Sequence, residues 1–455
     1  MAILQRVSPL KLCPEIRYLV AWILALTMAG VYLYFSWHHF DDPGRRDGNR
    51  GHTYMDFGGQ YLLGRMLVCG QGHHLFSPSA QRQILEESYS RENEIPGQEI
   101  SDAERLMDWF VWTDESPNTA VSGPLYPPIQ AFWFCPLAFL TPQLAYRVVQ
   151  VIIVLGAFGA GIGLSKLSTD RVWWPVATIG VILFPGFAGS LGLGQNSVFS
   201  LLILVWGWVL ISRRHAGWGG VVWGLLIFKP VWLASFFLVP LWSGRWRVFA
   251  GMLVSSVFQV VLTLPVVGLH GWIDWLRVGR EAGRISFYDP VWIFRGRDLV
   301  ALPRRWLDFS ASSAELQNNL LVSLIGWGLW LIVIEITTLI SVNRRCRGYV
   351  GCGPAFLFLG AWMSCVHFMY YDVLLAALPV FLLYLSARWP PWICHVMVAI
   401  LFLAPAMPAM GWGEPATETY CLLGLWAVSG WLWTRSDILS GERKPPAGMF
   451  VRVNA

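Results

Sequence analysis

Apolar runs long enough to cross a membrane recur along almost the whole chain. Many of them reach the roughly 17–25 residues that span a bilayer as a helix. Only 13% of the residues are charged and 55% are hydrophobic, whereas a soluble domain typically carries about 25% charged residues. The sequence therefore predicts an all-α, polytopic helical membrane protein of about 10–12 membrane segments, some of them short, broken or re-entrant.

Basic residues orient these segments, because Lys and Arg beside short loops mark the cytoplasmic side. The first run, about Val20–Trp37, follows Arg6, Lys11 and Arg17 and lacks a clear small-residue cleavage site, so it is interpreted as a retained first helix. Both termini are then cytoplasmic, with residues 435–455 as a tail, in a multi-pass protein of the cell (inner) membrane. The chain has a net charge of +5, but its basic residues form no visible patch on a soluble domain. No nucleic-acid partner is therefore expected.

Two long polar segments interrupt the apolar pattern of what is otherwise a single transmembrane domain, residues 1–455. Residues 38–124 contain the capping-box pattern Ser101–Glu104, which predicts a helix start, and an exposed helix is predicted over 80–92. Residues 268–318 are rich in arginine. The predicted orientation places both loops outside the cell. Helices are predicted near residues 146–165, 173–191, 197–212, 247–267, 319–341, 391–411 and 417–434.

The apolar segment Gly219–Trp242 lies between two basic pairs, at residues 213–214 and at residues 245 and 247. Both pairs favour the cytoplasm, yet a single crossing would separate them. Because Lys229-Pro230 interrupts the middle of the segment, we predict a broken or re-entrant hairpin with halves of about ten to twelve residues. The apolar stretch near residues 126–140 is also too short for a certain crossing.

No cofactor or metal is expected from the sequence motifs. The eight cysteines are scattered and no Cys/His spacing is typical of a zinc site. No Walker loop, nucleophile-elbow serine or dinucleotide glycine fingerprint stands in a suitable context. Chemistry driven by a nucleotide therefore has no support.

Asp56 follows the first helix and stands among aromatic residues, glycines and a histidine. A carboxylate in one external loop and arginines in a later one suit transfer of a group from a lipid phosphate. The acid would remove the proton of an attacking hydroxyl, and cations would stabilise the departing phosphate. The alternative for Asp56 is an exposed acid that caps a helix.

Short motifs resemble, in their order and spacing, glycosyltransferase family 87 of the GT-C superfamily of integral-membrane enzymes. They are Tyr54–Phe57, Leu75–Phe76, Tyr126–Pro128, Cys135–Leu137, Gly194–Asn196, Phe228–Pro230, Arg245–Arg247 and His367–Asp372. The resemblance implies a GT-C fold and an inverting hexosyltransferase. It implies a polyprenyl-phosphate-linked sugar as donor, mannose by analogy with relatives, and a glycolipid or envelope glycan as acceptor on the external face. It also implies Asp56 as general base, while the late His-containing segment Met363–His367 lacks the proline that many relatives carry.

Most of the candidate substrate-binding residues lie in segments that the predicted topology places on the external face. They are His52, Gln60, Tyr126, Gln195, Asn196, Lys229, Arg277, Arg280, Arg284, His367, Tyr371 and Asp372. Each has a structural alternative: His52 as a solvated loop residue, Gln195 and Asn196 as helix caps, and His367 with Asp372 as an interhelical pair. Lys229 contacts a phosphate or snorkels to the cytoplasmic surface, and the three arginines, which share a helical face, bind phosphate or lipid headgroups.

A polytopic transporter or lipid flippase without covalent chemistry is the main alternative function. Transporters place polar groups in broken helices near the bilayer midplane, and the Lys229-Pro230 interruption fits that pattern. However, no inverted repeat relates the two halves, and the long external loop favours an enzyme. A non-catalytic assembly partner is the third hypothesis.

Overall fold

The computed structural model describes residues 14–40, 51–89, 101–113, 119–286, 289–306, 320–346, 348–385, 390–407 and 416–440. The helices are α1 Pro14–Phe40, α2 Met55–Val68, α3 Pro78–Ser88, α4 Asp102–Asp108, α5 Ile129–Phe134, α6 Pro142–Leu167, α7 Trp174–Leu183, α8 Phe187–Gly192, α9 Ser197–Ser212, α10 Ala216–Gly224, α11 Pro230–Trp242, α12 Trp246–Ser286, α13 Pro290–Arg295, α14 Leu320–Asn343, α15 Cys352–Ser364, α16 Ala377–Tyr384, α17 Trp392–Leu403 and α18 Thr417–Ser440. Strands β1 Val111–Trp112 and β2 Ser122–Gly123 pair antiparallel.

Long and short apolar helices are combined, as the sequence predicted. Four described helices have the length and composition to cross a membrane: Ile16–His38, Pro142–Leu167, Trp246–Ile285 and Leu320–Asn343. Seven shorter apolar helices accompany them. Large apolar side chains on these long helices, such as Leu155, Phe258 and Leu324, are exposed, as expected for surfaces in contact with lipid. The protein is an all-α, polytopic membrane protein.

The first polar segment folds against the helical bundle. The predicted capping box is present: Ser101 Oγ accepts from the Glu104 backbone N–H at 3.3 Å, and Glu104 Oε2 accepts from the Ser101 N–H at 2.9 Å. Helix α3 is only partly exposed, because Gln81 and Leu85 are buried. Residues 90–92 of the predicted helix lie outside the described residues. This segment therefore supplies a packed support for Asp56.

The segment from α10 to α11 is broken where the sequence predicted. A 3₁₀ turn over Leu225–Phe228 separates the two helices, and α11 begins at Pro230 directly after Lys229. Arg214 before the segment and Arg247 after it line the same surface cavity. The chain therefore reverses at Lys229-Pro230 and returns to the side from which it came, as a hairpin does.

The predicted single helix over 173–191 is wrong, because the chain breaks into α7 and α8 at Pro185-Gly186. Gly186 adopts φ 93°, a conformation that glycine adopts at little cost. A Cβ at this position would lie 2.5 Å from the Tyr371 carbonyl oxygen. The break thus lets the Tyr371 backbone approach the turn. Because this contact joins residues far apart in sequence, the local sequence pattern could not show it.

Residues 269–286, predicted as the start of the arginine-rich loop, are helical instead. Helix α12 continues through them after a break at Gly268, where φ is 72° and ψ is 170°. Val278 and Ala282 are buried four residues apart, so this part has an apolar inner face at helical spacing. Arg277, Arg280 and Arg284 therefore lie on a helix, as their spacing predicted, within the segment that was predicted as a loop.

Candidate active site

Asp56 lies in the first turn of α2 and faces a cavity between the helices. Its backbone carbonyl accepts a hydrogen bond from Gln60 Nε2 at 2.6 Å. Gln60 also donates to the Gly194 carbonyl at 3.2 Å and accepts from Gln130 Nε2 at 2.5 Å. Gln60 is fully buried, so it joins α2 to the turn before α9 from behind and sets the position of Asp56.

Gln195 is the centre of the polar cluster around this carboxylate. Its Nε2 donates to Asp56 Oδ1 and lies 2.8 Å from the Tyr126 hydroxyl and 3.0 Å from the Tyr371 hydroxyl. The Tyr371 hydroxyl lies 3.4 Å from Asp56 Oδ1. The amide nitrogen faces Asp56 because an ionised carboxylate only accepts hydrogen bonds. Segments distant in sequence therefore orient one oxygen of the Asp56 carboxylate.

Burial raises the pKa of Asp56 to about 6. The hydrogen bond from Gln195 opposes this rise, and so do the positive charges of Lys229 and Arg295 and the hydrogen bond from Tyr371. Desolvation penalises the ionised form, whereas nearby cations and donors favour it. Asp56 is therefore ionised at neutral pH, with a proton affinity well above that of an exposed aspartate, which suits a general base.

Gly194 sets the direction of Gln195, because its backbone has φ 63°. A Cβ at Gly194 would also lie 2.9 Å from the Phe57 Cβ. We expect Gly194→Ala to displace Gln195 from Asp56 and to lower activity. Gly70→Ala is the matched control: its φ is 74° but nothing lies within 4 Å of the added Cβ. Both variants carry backbone strain of roughly 1–2 kcal/mol. The two variants are compared by activity and by thermal unfolding. Equal activity of the two variants would contradict the positioning role.

Lys229 and Asp372 form an ion pair beside the cluster, in which the carboxylate is buried and the lysine is partly buried. Lys229 Nζ lies 2.6 and 2.8 Å from the two carboxylate oxygens, and the Asp372 side chain is 1% exposed. Ser197 Oγ donates to the same carboxylate at 2.6 Å. Because Lys229 lies at the tip of the hairpin, its side chain reaches the cavity and does not snorkel to the side where Arg214 and Arg247 lie.

His367 lines the same cavity. Its backbone has φ 61°, and its ring stacks on Trp292 with the centroids 4.9 Å apart. Gly296 and Met369 form an antiparallel bridge, which places Asp298 across from His367. Burial lowers the pKa of His367, and the charge of Asp298 opposes this shift. Since Asp372 pairs with Lys229, the interhelical His367–Asp372 pair considered above is not formed.

One cavity of about 320 Å³ unites most of these groups. Among the candidate residues it is lined by Asp56, Tyr126, Gln195, Lys229, His367, Tyr371 and Asp372. The rest of its wall is mainly apolar and includes Phe228, Val231, Trp275 and Ala282. A polar end and an apolar wall in one cavity are suited to an amphipathic ligand.

The remaining candidates from the first loop and from the turn before α9 do not line this cavity. His52 is buried, stacked on Tyr89, with its Nε2 3.9 Å from Asp102, so it is not a solvated loop residue. Asn196 is buried and lines a separate cavity of about 170 Å³ that is also bordered by Phe228. Gln60 supports the site from behind.

Arg277, Arg280 and Arg284 also lie outside the cavity lining. Arg277 pairs with Asp274 at 3.1 Å and Arg284 pairs with Glu281 at 3.1 Å, and Arg280 is exposed. The inner face of α12 carries small and apolar residues instead. Arg295 at the end of α13 is close enough for its charge to lower the pKa of Asp56, although the shared helical face of the other three arginines did not point to it. The only signal for Arg295 in the sequence is that it belongs to the arginine-rich segment.

The fold and the site together define an integral membrane protein with an oriented acid, a partly buried lysine and an amphipathic cavity. A model of glycosyltransferase family 87 matches residues 125–346. This match, over just under half of the chain, confirms the resemblance predicted from the motifs and supports a membrane glycosyltransferase. Asp56 and His367–Asp372 lie outside the match. No curated protein and no solved structure matches the chain.

Proposed function

We propose that this protein transfers a hexose, mannose by the family resemblance, from a polyprenyl-phosphate donor to a hydroxyl of a glycolipid or envelope glycan. The main observation behind this proposal is that an oriented carboxylate, Asp56, and a cationic side chain, Lys229, line one cavity together with an apolar wall. A lipid-phosphate sugar has three parts that match these groups: a reacting sugar carbon for the carboxylate, a phosphate for the cation and a hydrocarbon chain for the apolar wall.

In the proposed reaction Asp56 takes the proton of the acceptor hydroxyl as the hydroxyl oxygen attacks the anomeric carbon. A new C–O bond forms, and the bond between that carbon and the phosphate oxygen breaks with its electron pair moving to the phosphate. Polyprenyl phosphate is therefore the leaving group, and no nucleotide is consumed. A single displacement of this kind inverts the anomeric carbon.

Lys229 and His367 are proposed to receive the donor phosphate. An ammonium has three donors, so Lys229 can retain Asp372 while donating to a phosphate oxygen. Fixed donors aimed at the leaving oxygen stabilise charge that develops in the transition state. Tyr126 and Tyr371 present hydroxyls to the same space and are proposed to contact the sugar, while Gln195 holds the base.

The proposed orientation places this cavity on the extracytoplasmic side. The tip of the hairpin carries Lys229, and the basic residues Arg214 and Arg247 lie together at its opposite end. If the basic end is cytoplasmic, the cavity opens toward the outer half of the membrane. For Arg277 and Arg284, which are paired on the outer surface of α12, we propose contact with lipid headgroups.

The rate of transfer is expected to depend on pH through Asp56. Protonated Asp56 cannot accept a proton, so kcat/KM should fall by about tenfold per pH unit as the pH drops below the pKa of about 6. Above that pKa the base is ionised and the rate should level off. The measurement is kcat/KM between about pH 4.5 and 8. A rate that rises as the pH drops through 6 would contradict this assignment.

Purified protein in proteoliposomes distinguishes the proposed function from transport. Radiolabelled polyprenyl-phosphate sugar and a membrane extract containing acceptor glycolipids are supplied, and the lipid fraction is examined for a new labelled glycan and released polyprenyl phosphate. Formation of both supports the proposal. Movement of the intact donor across the bilayer without cleavage would support the flippase hypothesis instead.

A further inference from the structure

A surface cavity of about 510 Å³ lies at the base of the hairpin, between the start of α10 and the start of α12. This end of the hairpin is opposite to its tip, where Lys229 borders the first cavity, the one that contains Asp56. Arg214 and Arg247 line the surface cavity together with small and apolar residues. The proposed reaction uses none of these groups, so the surface cavity requires a separate explanation.

Glycines let α10 and α12 approach closely and form the floor of the surface cavity. A Cβ at Gly251 would lie 2.4 Å from the Gly217 carbonyl oxygen. Likewise, a Cβ at Gly220 would lie 2.1 Å from the Val248 carbonyl oxygen. By contrast, Gly217 lines the cavity, and a Cβ added to it meets nothing within 4 Å. The cavity is therefore a cleft above a fixed contact between two helices, with open space along Gly217.

The side walls of the surface cavity are apolar and exposed. Trp218 on α10 is 68% exposed and Val254 on α12 is 65% exposed. Helix α12 has the length and composition of a membrane-spanning helix, and exposed apolar side chains on such a helix are in contact with lipid. The cavity therefore opens toward the hydrocarbon part of the membrane, and its walls are suited to an acyl chain.

The basic end of the surface cavity has no counter-charge among the described residues. Arg214 and Arg247 are exposed, and no acidic residue lines the cavity. Neither arginine forms an ion pair within the part of the chain that the structure describes. His215 lies beside them. Both α10 and α12 begin at this end, so their dipoles add to the positive potential. An anion is therefore the group that this end favours.

We propose that the surface cavity binds one anionic phospholipid of the adjacent leaflet, with its phosphate held by Arg214 and Arg247 and an acyl chain along Trp218 and Val254. The donors of a guanidinium suit phosphate oxygens. Basic pockets between membrane helices are a general type of lipid headgroup site. The lipid matches both parts of the cavity, the charged end and the apolar walls. The inference does not depend on the proposed reaction.

Two other occupants have to be distinguished from a lipid, a terminal segment of this chain and a free phosphate ion. The terminal segments outside the described residues, 1–13 and 441–455, each contain more basic than acidic residues, so the arginines of the cavity repel them. A free phosphate would contact the arginines but not the apolar walls. Filling the cleft beside the walls therefore separates a lipid from a free ion.

The test compares phosphatidylglycerol and phosphatidylcholine with the same acyl chains, which differ in net charge because choline offsets the phosphate. Their binding to the purified full-length protein in detergent micelles is measured by native mass spectrometry. We expect the wild type to bind one phosphatidylglycerol about tenfold tighter, the order that contact with two arginines implies. Arg214→Gln combined with Arg247→Gln should abolish this preference. Arg171→Gln, which removes an exposed charge that does not line the cavity, should leave it unchanged.

A second arm uses Gly217→Leu, which should fill the cleft, leave both arginines in place and weaken phosphatidylglycerol binding about tenfold. Gly180→Leu on α7 is the matched control, because its added Cβ also meets nothing within 4 Å; it should bind as the wild type does. Thermal unfolding checks that each variant is folded, and phosphatidylglycerol should raise the unfolding temperature of the wild type more than that of the double arginine variant.

Three results would overturn the inference. The wild type shows no preference for phosphatidylglycerol, whether because nothing binds or because a terminal segment covers the cavity. The double arginine variant keeps the preference. Gly217→Leu binds phosphatidylglycerol as tightly as the wild type, which would mean that the arginines hold an anion without the apolar walls. Because no sugar transfer is measured, these results are independent of the outcome for Asp56→Asn.

Discussion

Asp56→Asn is expected to lower the rate of sugar transfer by about 10²–10⁴-fold, the usual contribution of a general base. Asparagine has nearly the same shape and can still accept the hydrogen bond from Gln195, but it cannot take the acceptor proton. Donor binding should change little, since Lys229 and His367 remain. The measurement is single-turnover transfer from labelled donor, together with donor binding in the same preparation.

Asp108→Asn is the matched control for Asp56→Asn. Asp108 belongs to the same first loop but is exposed and lies outside the lining of the cavities described above. It should transfer sugar at the wild-type rate, within the scatter of about twofold expected for a surface change. If folded Asp56→Asn retains full activity, Asp56 is not the base. If both variants lose activity equally, the effect belongs to the loop and not to the carboxylate.

Loss of either member of the Lys229–Asp372 pair is expected to destabilise the fold by about 3–5 kcal/mol, because the partner is left as an uncompensated buried charge. Lys229→Met leaves the Asp372 carboxylate with only Ser197 as a side-chain donor. Asp372→Asn leaves an ammonium beside Tyr371. The double variant should recover part of the loss, and the coupling measured in the double-mutant cycle should be large.

The control pair is Lys166–Asp170, an i,i+4 pair at 3.1 Å whose side chains are 41% and 64% exposed. Its removal should change the free energy of unfolding by about 0–1 kcal/mol, as for exposed pairs in general. Unfolding by a denaturing detergent in mixed micelles provides the comparison. Equal losses for the two pairs, or strictly additive losses within the Lys229–Asp372 cycle, would contradict the account of a buried pair at the hairpin tip.

Features that depend on local pattern were predictable from the sequence. The Ser101–Glu104 capping box forms because its donors and acceptors lie within one turn. The break at Lys229-Pro230 was predicted because proline interrupts a helix. In addition, the basic pairs on either side of the segment both favour the cytoplasmic side, which a single crossing would not allow. By contrast, the break at Gly186 depends on the close approach of Tyr371, a contact across a large sequence separation that no local pattern contains.

The candidate site was predictable as a set of polar residues on one face, but not in its detailed arrangement. Gln195 and Asn196 are adjacent and chemically alike, yet the first contacts Asp56 and the second lines another cavity. The sequence alone does not show in which direction either side chain points. Arg277 shares a helical face with other arginines, but the inner face of α12 is set by Val278 and Ala282. Arg295 is near the site only because α13 packs there.

A structure with a bound donor analogue tests the central claim most directly. The full-length protein is prepared in nanodiscs with a non-hydrolysable polyprenyl-phosphate sugar, and the position of its phosphate is determined by cryo-electron microscopy. The account predicts the phosphate in the first cavity within hydrogen-bond distance of Lys229 Nζ, the sugar facing Asp56 and the hydrocarbon chain along Trp275 and Ala282. A phosphate bound outside this cavity, or an Asp56 carboxylate turned away from the sugar, would contradict it.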